Sequence, residues 1–405
     1  MDRFLRGVSA VGIRVRRPRA MTTMRRIGSL DLIAGTALDF DLFDGTGRLL
    51  LRRGQIVSNQ AMVDELIRRG ASRLSLESDD ASARRLYRRN ASLPAFDSLS
   101  EMLDGLQRAM LPAPDPLRLR ETIVALAEGL QVLCLQEQDA AIASICLGTW
   151  PHHSIKHQMD TAIAAEALAK ALEMPRPTRL SMMCAAMTMN LSTLELHETL
   201  NERSGPIDDA EQVRMRGHPL ASWELLRSSG VQDPVWLEAV RCHHESVDGT
   251  GYLELVGDRI PLEAQVLRIS DMYTARVTHR SWAATEKSNL TLVEILRGLG
   301  KFVMPQVATS MVRALGIFPP GNHVLLENGE IGVVIRRGKD AKSPVVASYI
   351  SPSGLPLGCP IHRDTAVDQF HCVAIIDPPK ADVQLSPKAL WGLRERLESS
   401  SSARV

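Results

Sequence analysis

The sequence is poor in aromatic residues, has almost no net charge and lacks any long apolar stretch. Aromatic residues make up 4% of the chain, which argues against a base-stacking platform for single-stranded nucleic acid. The formal net charge of +1 lacks the basic bias of a dedicated nucleic-acid binder. No apolar run approaches the roughly 20 residues that a membrane-spanning helix needs. We therefore expect partners other than nucleic acids and membranes.

Cysteine is scarce as well, and no two cysteines form a CxxC pair. The six cysteines are dispersed along the chain, at Cys134, Cys146, Cys184, Cys242, Cys359 and Cys372. This spacing argues against a zinc finger or a disulfide framework and favours the reduced, buried thiols of a cytoplasmic protein. A secretory signal is disfavoured, because no clean apolar segment follows the Arg-rich first residues. A length of 405 residues predicts two or three domains at about 150 residues per domain.

The periodicity of apolar residues changes several times along the chain. The Arg-rich start has no periodicity and predicts a disordered leader, with Met21 or Met24 as an alternative first residue. The alternating segment 38–43 and the turn after it predict a β-rich module, and helical periodicity dominates residues 117–315. The predicted organisation is a basic leader (1–29), a small α+β module (30–77), a helical linker (78–116), a helical domain (117–316), a C-terminal β-module (317–380) and a helical or disordered tail (381–405). The predicted fold class is therefore mainly α, with small β-rich modules on both sides.

Seven of the eleven histidines fall within one stretch of under a hundred residues: His152, His153, His157, His197, His218, His243 and His244. The densest segment runs from Cys242 to Tyr252 and combines two adjacent histidines with two carboxylates and a Gly-x-Gly. Imidazole is the commonest metal ligand, and carboxylates help to hold divalent ions. Asp271 lies within an apolar run, so we expect it to be buried and to have a cationic partner. The alternative is that these residues are hydrogen-bonded polar groups of the core.

The segment from about Trp150 to Ile317 resembles the HD-GYP family, the metal-dependent phosphodiesterases that hydrolyse cyclic di-GMP. The matching residues are His157, Gly217-His218-Pro219, His243-His244-Glu245, Asp248-Gly249-Thr250-Gly251-Tyr252, Ile260-Pro261, Asp271 and Arg280. The resemblance implies an HD-superfamily helical domain. It implies metal ligands at His157, His218, His243, His244 and Asp271. It also implies substrate contacts at Glu245, Asp248, Gly249, Gly251, Tyr252 and Arg280.

The chain departs from the family pattern at the pair that names it. The segment aligned with the His-Asp pair and the following Lys reads Met189, Asn190 and Thr193. In the family, two metals share the Asp of that pair. The resemblance therefore implies one site reduced to His157 and Asp271, and a second that keeps three histidines. Three histidines can hold one transition metal, so we expect one divalent ion (Fe, Mn or Zn) or none, and no confident catalytic residue.

These departures favour a degenerate HD-GYP-type protein of bacterial cyclic di-GMP signalling. It would bind this or a related nucleotide, or a signalling partner protein, with little or no hydrolysis, because a lost bridge removes two-metal activation of water. One alternative is an active metal-dependent phosphodiesterase or phosphohydrolase that uses a reduced metal site. Another is a scaffold without ligand that resembles the HDOD output domains. The sequence leaves open whether the chain is an enzyme and whether it forms oligomers.

Overall fold

A computed structural model describes residues 22–26, 38, 41–52, 55, 57–76, 93–111, 114–116, 118–203, 207–278, 288–298, 301–379 and 385–391. They belong to two compact units, one within residues 1–88 and the other within 89–405. The described part is mainly helical, with one small β-sheet in each terminal region, which confirms the predicted fold class. Among the described helices, none combines the length and apolar character needed to cross a membrane.

The first unit is an antiparallel sheet with one helix. Its elements are β1 (Thr22–Arg26), β2 (Leu42–Phe43), β3 (Leu49–Leu51), α1 (Gln60–Arg68) and β4 (Ser72–Leu76), and the strand order is β1-β4-β2-β3. The turn between β2 and β3 is held by Asp44, whose carboxylate accepts the amides of Thr46 and Arg48. Gly70 follows α1 with φ of 70°, the left-handed conformation that ends many helices. Strand β1 lies inside the segment assigned to the leader, whose other residues fall outside the described ranges.

The second unit is built on helices. Its described helices are α2 (Leu93–Met110), α3 (Leu119–Gln136), α4 (Gln138–Leu147), α5 (His153–Ala171), α6 (Arg176–Thr188), α7 (Leu194–Glu202), α8 (Asp209–Ser228), α9 (Pro234–Cys242), α10 (Leu262–Val277), α11 (Ser288–Arg297), α12 (Pro305–Leu315) and α13 (Pro387–Trp391). Helix α5 is buried on all sides from Ser154 to Ala169 and packs against α6, α10 and α12. A helix enclosed in this way is the centre of a core, so polar residues on α5 need partners from the surrounding helices.

Helix α2 lies within residues 78–116, which the sequence predicts as a helical linker, and its apolar face is buried in the helical unit. Leu99, Leu106 and Met110 are buried in the same apolar cluster as the central helices. Phe96 packs edge-to-face on Trp391 of α13, with ring centroids 5.2 Å apart. Because α2 carries one continuous apolar face, it joins the core of the helical unit, where burial of that face stabilises it.

The C-terminal sheet contains β5 (His323–Leu326), β6 (Ile331–Arg336), β7 (Val345–Ile350), β8 (Pro356–Asp364) and β9 (Cys372–Ile375) in the antiparallel order β8-β7-β6-β5-β9. A hairpin joins β5 to β6 through Gly329, which has φ of 84°. Tyr349 and Ile350 lie in the main apolar cluster, and Arg337 pairs with Asp139 of α4 at 2.5 Å. The sheet therefore shares the core of the helical unit.

Candidate metal centre

Three histidines converge where α8 meets the end of α9. His218 lies on α8, and His243 and His244 directly follow α9. One ring nitrogen from each lies within 4.8 Å of the others, so the three form a group that could hold a metal ion. We call them the three-histidine group. His218 and His243 are fully buried and His244 partly, which limits the access of water to these nitrogens.

The sequence His218-Pro219 fixes the orientation of the first ring. In a regular helix the amide of residue 219 would donate to the carbonyl of Met215, but proline has no N–H. The freed Met215 oxygen lies 2.5 Å from Nδ1 of His218. A carbonyl can only accept a hydrogen bond, so Nδ1 must carry the proton. The neutral ring therefore presents an unprotonated Nε2.

His243 is oriented by the same kind of contact at a helix end. Its Nδ1 lies 2.7 Å from the carbonyl oxygen of Val240, in the last turn of α9, where carbonyls lack amide partners. Its Nε2 therefore carries a lone pair and lies 3.0 Å from Nε2 of His218. Two lone pairs at this distance repel each other unless a cation or an additional proton lies between them. The arrangement of the two rings thus fits a cation.

An additional proton is disfavoured at neutral pH. Burial, and secondarily the charge of His218, lowers the pKa of His243 to about 3. Burial also lowers the pKa of His218 and brings that of His244 well below its ordinary value. Neutral imidazole is the form that ligates a metal, so this donor set suits a divalent transition metal.

His157 and Asp271 lie on α5 and α10 and bind each other. Nε2 of His157 is 2.8 Å from Oδ1 of Asp271. Burial alone would raise the pKa of Asp271, but the hydrogen bond from His157 holds it below its usual range. The group of mutually close ligand atoms contains His218, His243 and His244, while the other two predicted ligands form this separate pair.

The turn that carries Met189 and Asn190 packs against α8. Met189 is fully buried at the end of α6, and Asn190 begins a short turn that includes Thr193. In the same turn Ser192 donates to the carbonyl oxygen of His218 at 3.2 Å. The positions aligned with the family's His-Asp pair therefore lie beside the helix that supplies His218. There they offer a thioether and a neutral amide, which are poorer ligands for Mn or Fe than imidazole and carboxylate.

The loop after the adjacent histidines is organised by Glu245. This buried carboxylate accepts the amides of Leu253 at 2.8 Å and Leu255 at 2.9 Å. Gly251 passes so close that a Cβ there would lie 2.6 Å from the Cα of Glu245. Glu245 and Gly251 thus shape the loop. The predicted contact of Glu245 with substrate competes with these two bonds, which engage both of its oxygens.

The other predicted substrate contacts lie in different surroundings, some in a tight turn and one beside the three-histidine group. Asp248 is exposed and accepts the amide of Thr250 at 3.1 Å, and Gly249 follows with φ of 81°, so both belong to a tight turn. The ring of Tyr252 stacks on His244 with centroids 4.7 Å apart and remains 41% exposed. Tyr252 is therefore the predicted contact that lies at the three-histidine group. Arg280 falls outside the described residues.

Arg268 is a charged residue near the site that sequence reasoning overlooked. It lies on α10, one turn before Asp271, and its guanidinium carbon is 5.9 Å from the centre of the Phe302 ring. Its Nε is buried and has no hydrogen-bond partner among the described residues. The available signal was an arginine inside the same apolar run as Asp271, at a spacing that places both on one helix face.

Part of the helical unit is similar in sequence to known proteins. Residues 145–311 match the family described as HD domain. The chain is 26% identical over 231 residues to the cyclic di-GMP phosphodiesterase PA4108 of Pseudomonas aeruginosa, covering 56% of this chain and 55% of that protein. It is 28% identical over 134 residues to the cyclic di-GMP phosphodiesterase response regulator RpfG of Xanthomonas campestris, covering 32% and 35%. The match thus spans about half of PA4108 and about a third of RpfG.

Two further similarities involve a related nucleotide enzyme and a solved structure. The 3'3'-cGAMP-specific phosphodiesterase 3 of Vibrio cholerae is 23% identical over 164 residues, covering 40% of this chain and 35% of that protein. Bd1817, an HDGYP protein from Bdellovibrio bacteriovorus, aligns with a TM-score of 0.45 and 13% identity, covering 72% of this chain and 98% of that one.

Proposed function

We propose, starting from the HD domain that residues 145–311 form, that this chain is a metal-containing receptor for cyclic di-GMP or a closely related cyclic dinucleotide. Its hydrolytic turnover would be low or absent. Its output would pass through a signalling partner protein. Relatives named as cyclic di-GMP phosphodiesterases support the nucleotide class.

The observation that carries the proposal is the facing pair of unprotonated Nε2 atoms of His218 and His243. Together with His244 they would hold one divalent transition metal. Such an ion supplies Lewis-acid contact to a phosphate oxygen when it is bound. The exposed ring of Tyr252 beside His244 offers a stacking surface for a base. Glu245 keeps the loop that carries Tyr252 in place.

Low turnover follows from the residues around this group. A two-metal hydrolase needs a ligand that bridges its ions, and the aligned position holds the neutral Asn190. The two other candidate ligands, His157 and Asp271, are engaged with each other. We therefore expect a site that binds a phosphodiester without the paired ions that would activate water.

The test combines metal analysis, calorimetric titration with cyclic di-GMP and a chromatographic hydrolysis assay on protein purified without chelators. We expect one transition metal ion per chain, measurable nucleotide binding and no product. The variant His218→Ala should lose both the metal and the affinity. His371→Ala is the matched control and should keep both properties, because His371 is an exposed histidine in the turn that precedes β9.

Two results would contradict the proposal. Turnover at the rate of intact phosphodiesterases would favour the hydrolase that uses a reduced metal site. Absence of both metal and nucleotide binding would favour a scaffold in which the histidines are polar groups of the core.

A further inference from the structure

Arg268 is a partly buried cation that no carboxylate of the described residues binds. The described contacts give it no hydrogen bond and no ion pair, and its Nε is buried without a partner. Its guanidinium carbon lies 5.9 Å from the centre of the Phe302 ring, near the outer limit of a cation–π contact. Removing an arginine from water without an anionic partner is unfavourable, so this position requires a reason.

The carboxylates that lie within electrostatic range of Arg268 are all engaged elsewhere. These are Asp271, Glu245 and Asp248. Asp271 accepts from His157, Glu245 accepts two loop amides, and Asp248 accepts from Thr250. None of these three carboxylates forms an ion pair with Arg268, so its guanidinium donors remain available to an anion that enters from solution.

Arg268 also acts on the residues of the three-histidine group. Burial is the main cause of the low pKa of His243 and His244, and the charge of Arg268 adds to it. Arg268 and the exposed Arg216 both oppose the burial that raises the pKa of Tyr252. The charge of Arg268 therefore reaches His243, His244 and Tyr252 at this site.

We propose that Arg268 is an anion-binding residue of this site and contacts a phosphate group of the ligand beside the three histidines. A guanidinium presents a planar set of donors that matches two oxygens of a phosphodiester. The inference rests on the proposed function, because it names the residue that would bind the phosphate of the nucleotide. It assigns Arg268 a role in binding.

The experiment compares Arg268→Gln and Arg268→Lys with the native chain. Cyclic di-GMP is titrated into each metal-loaded protein at two salt concentrations, and pyrophosphate is titrated separately as a probe without a base. We expect Arg268→Gln to weaken cyclic di-GMP binding by about tenfold or more and to reduce its dependence on salt, since charge-assisted hydrogen bonds are lost. Arg268→Lys should fall between, because it keeps the charge and loses the planar donors.

Controls separate binding from folding. Arg276→Gln is the matched control on the same helix, since Arg276 lies 3.8 Å from Glu294, and it should bind as the native chain does. Metal content should be unchanged in both Arg268 variants, and their melting temperatures should not fall below that of the native chain. Should Arg268→Gln fail to fold, Arg268→Lys still tests the geometry of the donors.

The outcomes distinguish this inference from the function on which it rests. Native-like nucleotide binding by Arg268→Gln would overturn the role of Arg268 and leave the proposed function intact. A third outcome is a native chain that binds pyrophosphate and no nucleotide. If Arg268→Gln then loses pyrophosphate binding, the result would support an anion site and overturn the proposed nucleotide. A native chain that binds neither probe would overturn both.

Discussion

The three-histidine group and the His157–Asp271 pair differ in how their polar atoms are satisfied. In the group, the Nδ1 protons of His218 and His243 are used by backbone carbonyls, and the Nε2 lone pairs face each other. In the pair, a ring nitrogen and a carboxylate form a complementary contact at 2.8 Å. The group needs a cation between its facing lone pairs, whereas the pair is joined by one hydrogen bond and leaves Nδ1 of His157 without a partner among the described residues. Residue types alone do not define a metal site, because the partner of the second ring nitrogen decides which atoms remain available.

We expect the largest effect from restoring the His-Asp pair of the family at positions 189 and 190. The double variant Met189→His, Asn190→Asp adds an imidazole and a carboxylate beside α8, where the carboxylate could draw His157 and Asp271 into a second metal site. We expect a gain in cyclic di-GMP hydrolysis on the order of a thousandfold, since preorganised charge at a reacting phosphate has effects of this size. Product chromatography and metal analysis measure it.

The matched control is Met189→His alone, which adds a ligand without the bridging carboxylate and should remain inactive. A folded double variant that holds two metal ions per chain and still gives no product would show that the missing pair is not what limits turnover.

Removing one partner of the His157–Asp271 pair should lower the stability of the fold and leave metal binding unchanged. His157→Ala leaves the largely buried Asp271 carboxylate without its hydrogen bond and should lower the free energy of unfolding by about 3 kcal/mol. Urea denaturation measures this loss, and metal content should remain at the native value. The double variant His157→Leu, Asp271→Leu should recover most of the stability, because an apolar pair leaves no unpaired charge. Loss of metal in His157→Ala would show that the pair also ligates.

A partly buried histidine outside both regions, His323, extends the comparison to the dependence of stability on pH. Nδ1 of His323 lies 2.8 Å from the hydroxyl of Tyr349, and burial lowers the pKa of His323 to about 4 from 6.5. The unfolded chain therefore binds the proton more readily. The contribution of His323 to stability is full above pH 6.5 and is lost as the pH falls towards 4. We expect a loss of about 2 kcal/mol over this window, after allowance for partial exposure.

Denaturation curves between pH 7 and 4 in the presence of chelator would measure this change. The variant His323→Phe should reduce the pH dependence by this amount, and the remaining acid sensitivity should include that of His218, His243 and His244, whose pKa values are also lowered by burial. If its curve has the native slope, the acid sensitivity arises elsewhere.

Pro219→Ala tests whether the contact of His218 with Met215 orients the three-histidine group. It should weaken metal binding and stabilise the metal-free protein. The alanine restores an amide that competes with His218 for the carbonyl of Met215. We expect about tenfold weaker metal affinity, the usual consequence of losing an outer hydrogen bond to a ligand. The metal-free protein should melt at a slightly higher temperature, because proline is unfavourable inside a helix. Unchanged affinity in a metal titration would mean that the ring is held by other contacts.

Much of the local structure follows from sequence signals that act over a few residues. The turn at Asp44, the helix end at Gly70 and the hairpin at Gly329 lie where turn chemistry predicts them. The sequence also predicts a helical segment at α2, but it does not identify the surface that covers the apolar face of this helix. Sequence patterns also did not reveal that Glu245 holds the loop after it, because this role depends on hydrogen bonds from the amides of Leu253 and Leu255.

The sequence by itself determined which histidines could act together, because their residue types and order carry the family resemblance. It also placed Met189 and Asn190 where the family has its pair. Only the tertiary structure decided which atoms remain available. It joined His157 to Asp271 across 114 positions and left Nε of Arg268 buried without a hydrogen bond among the described residues. The physical reason is that turns and caps depend on neighbouring residues, whereas the partner of a buried polar atom depends on how distant helices pack.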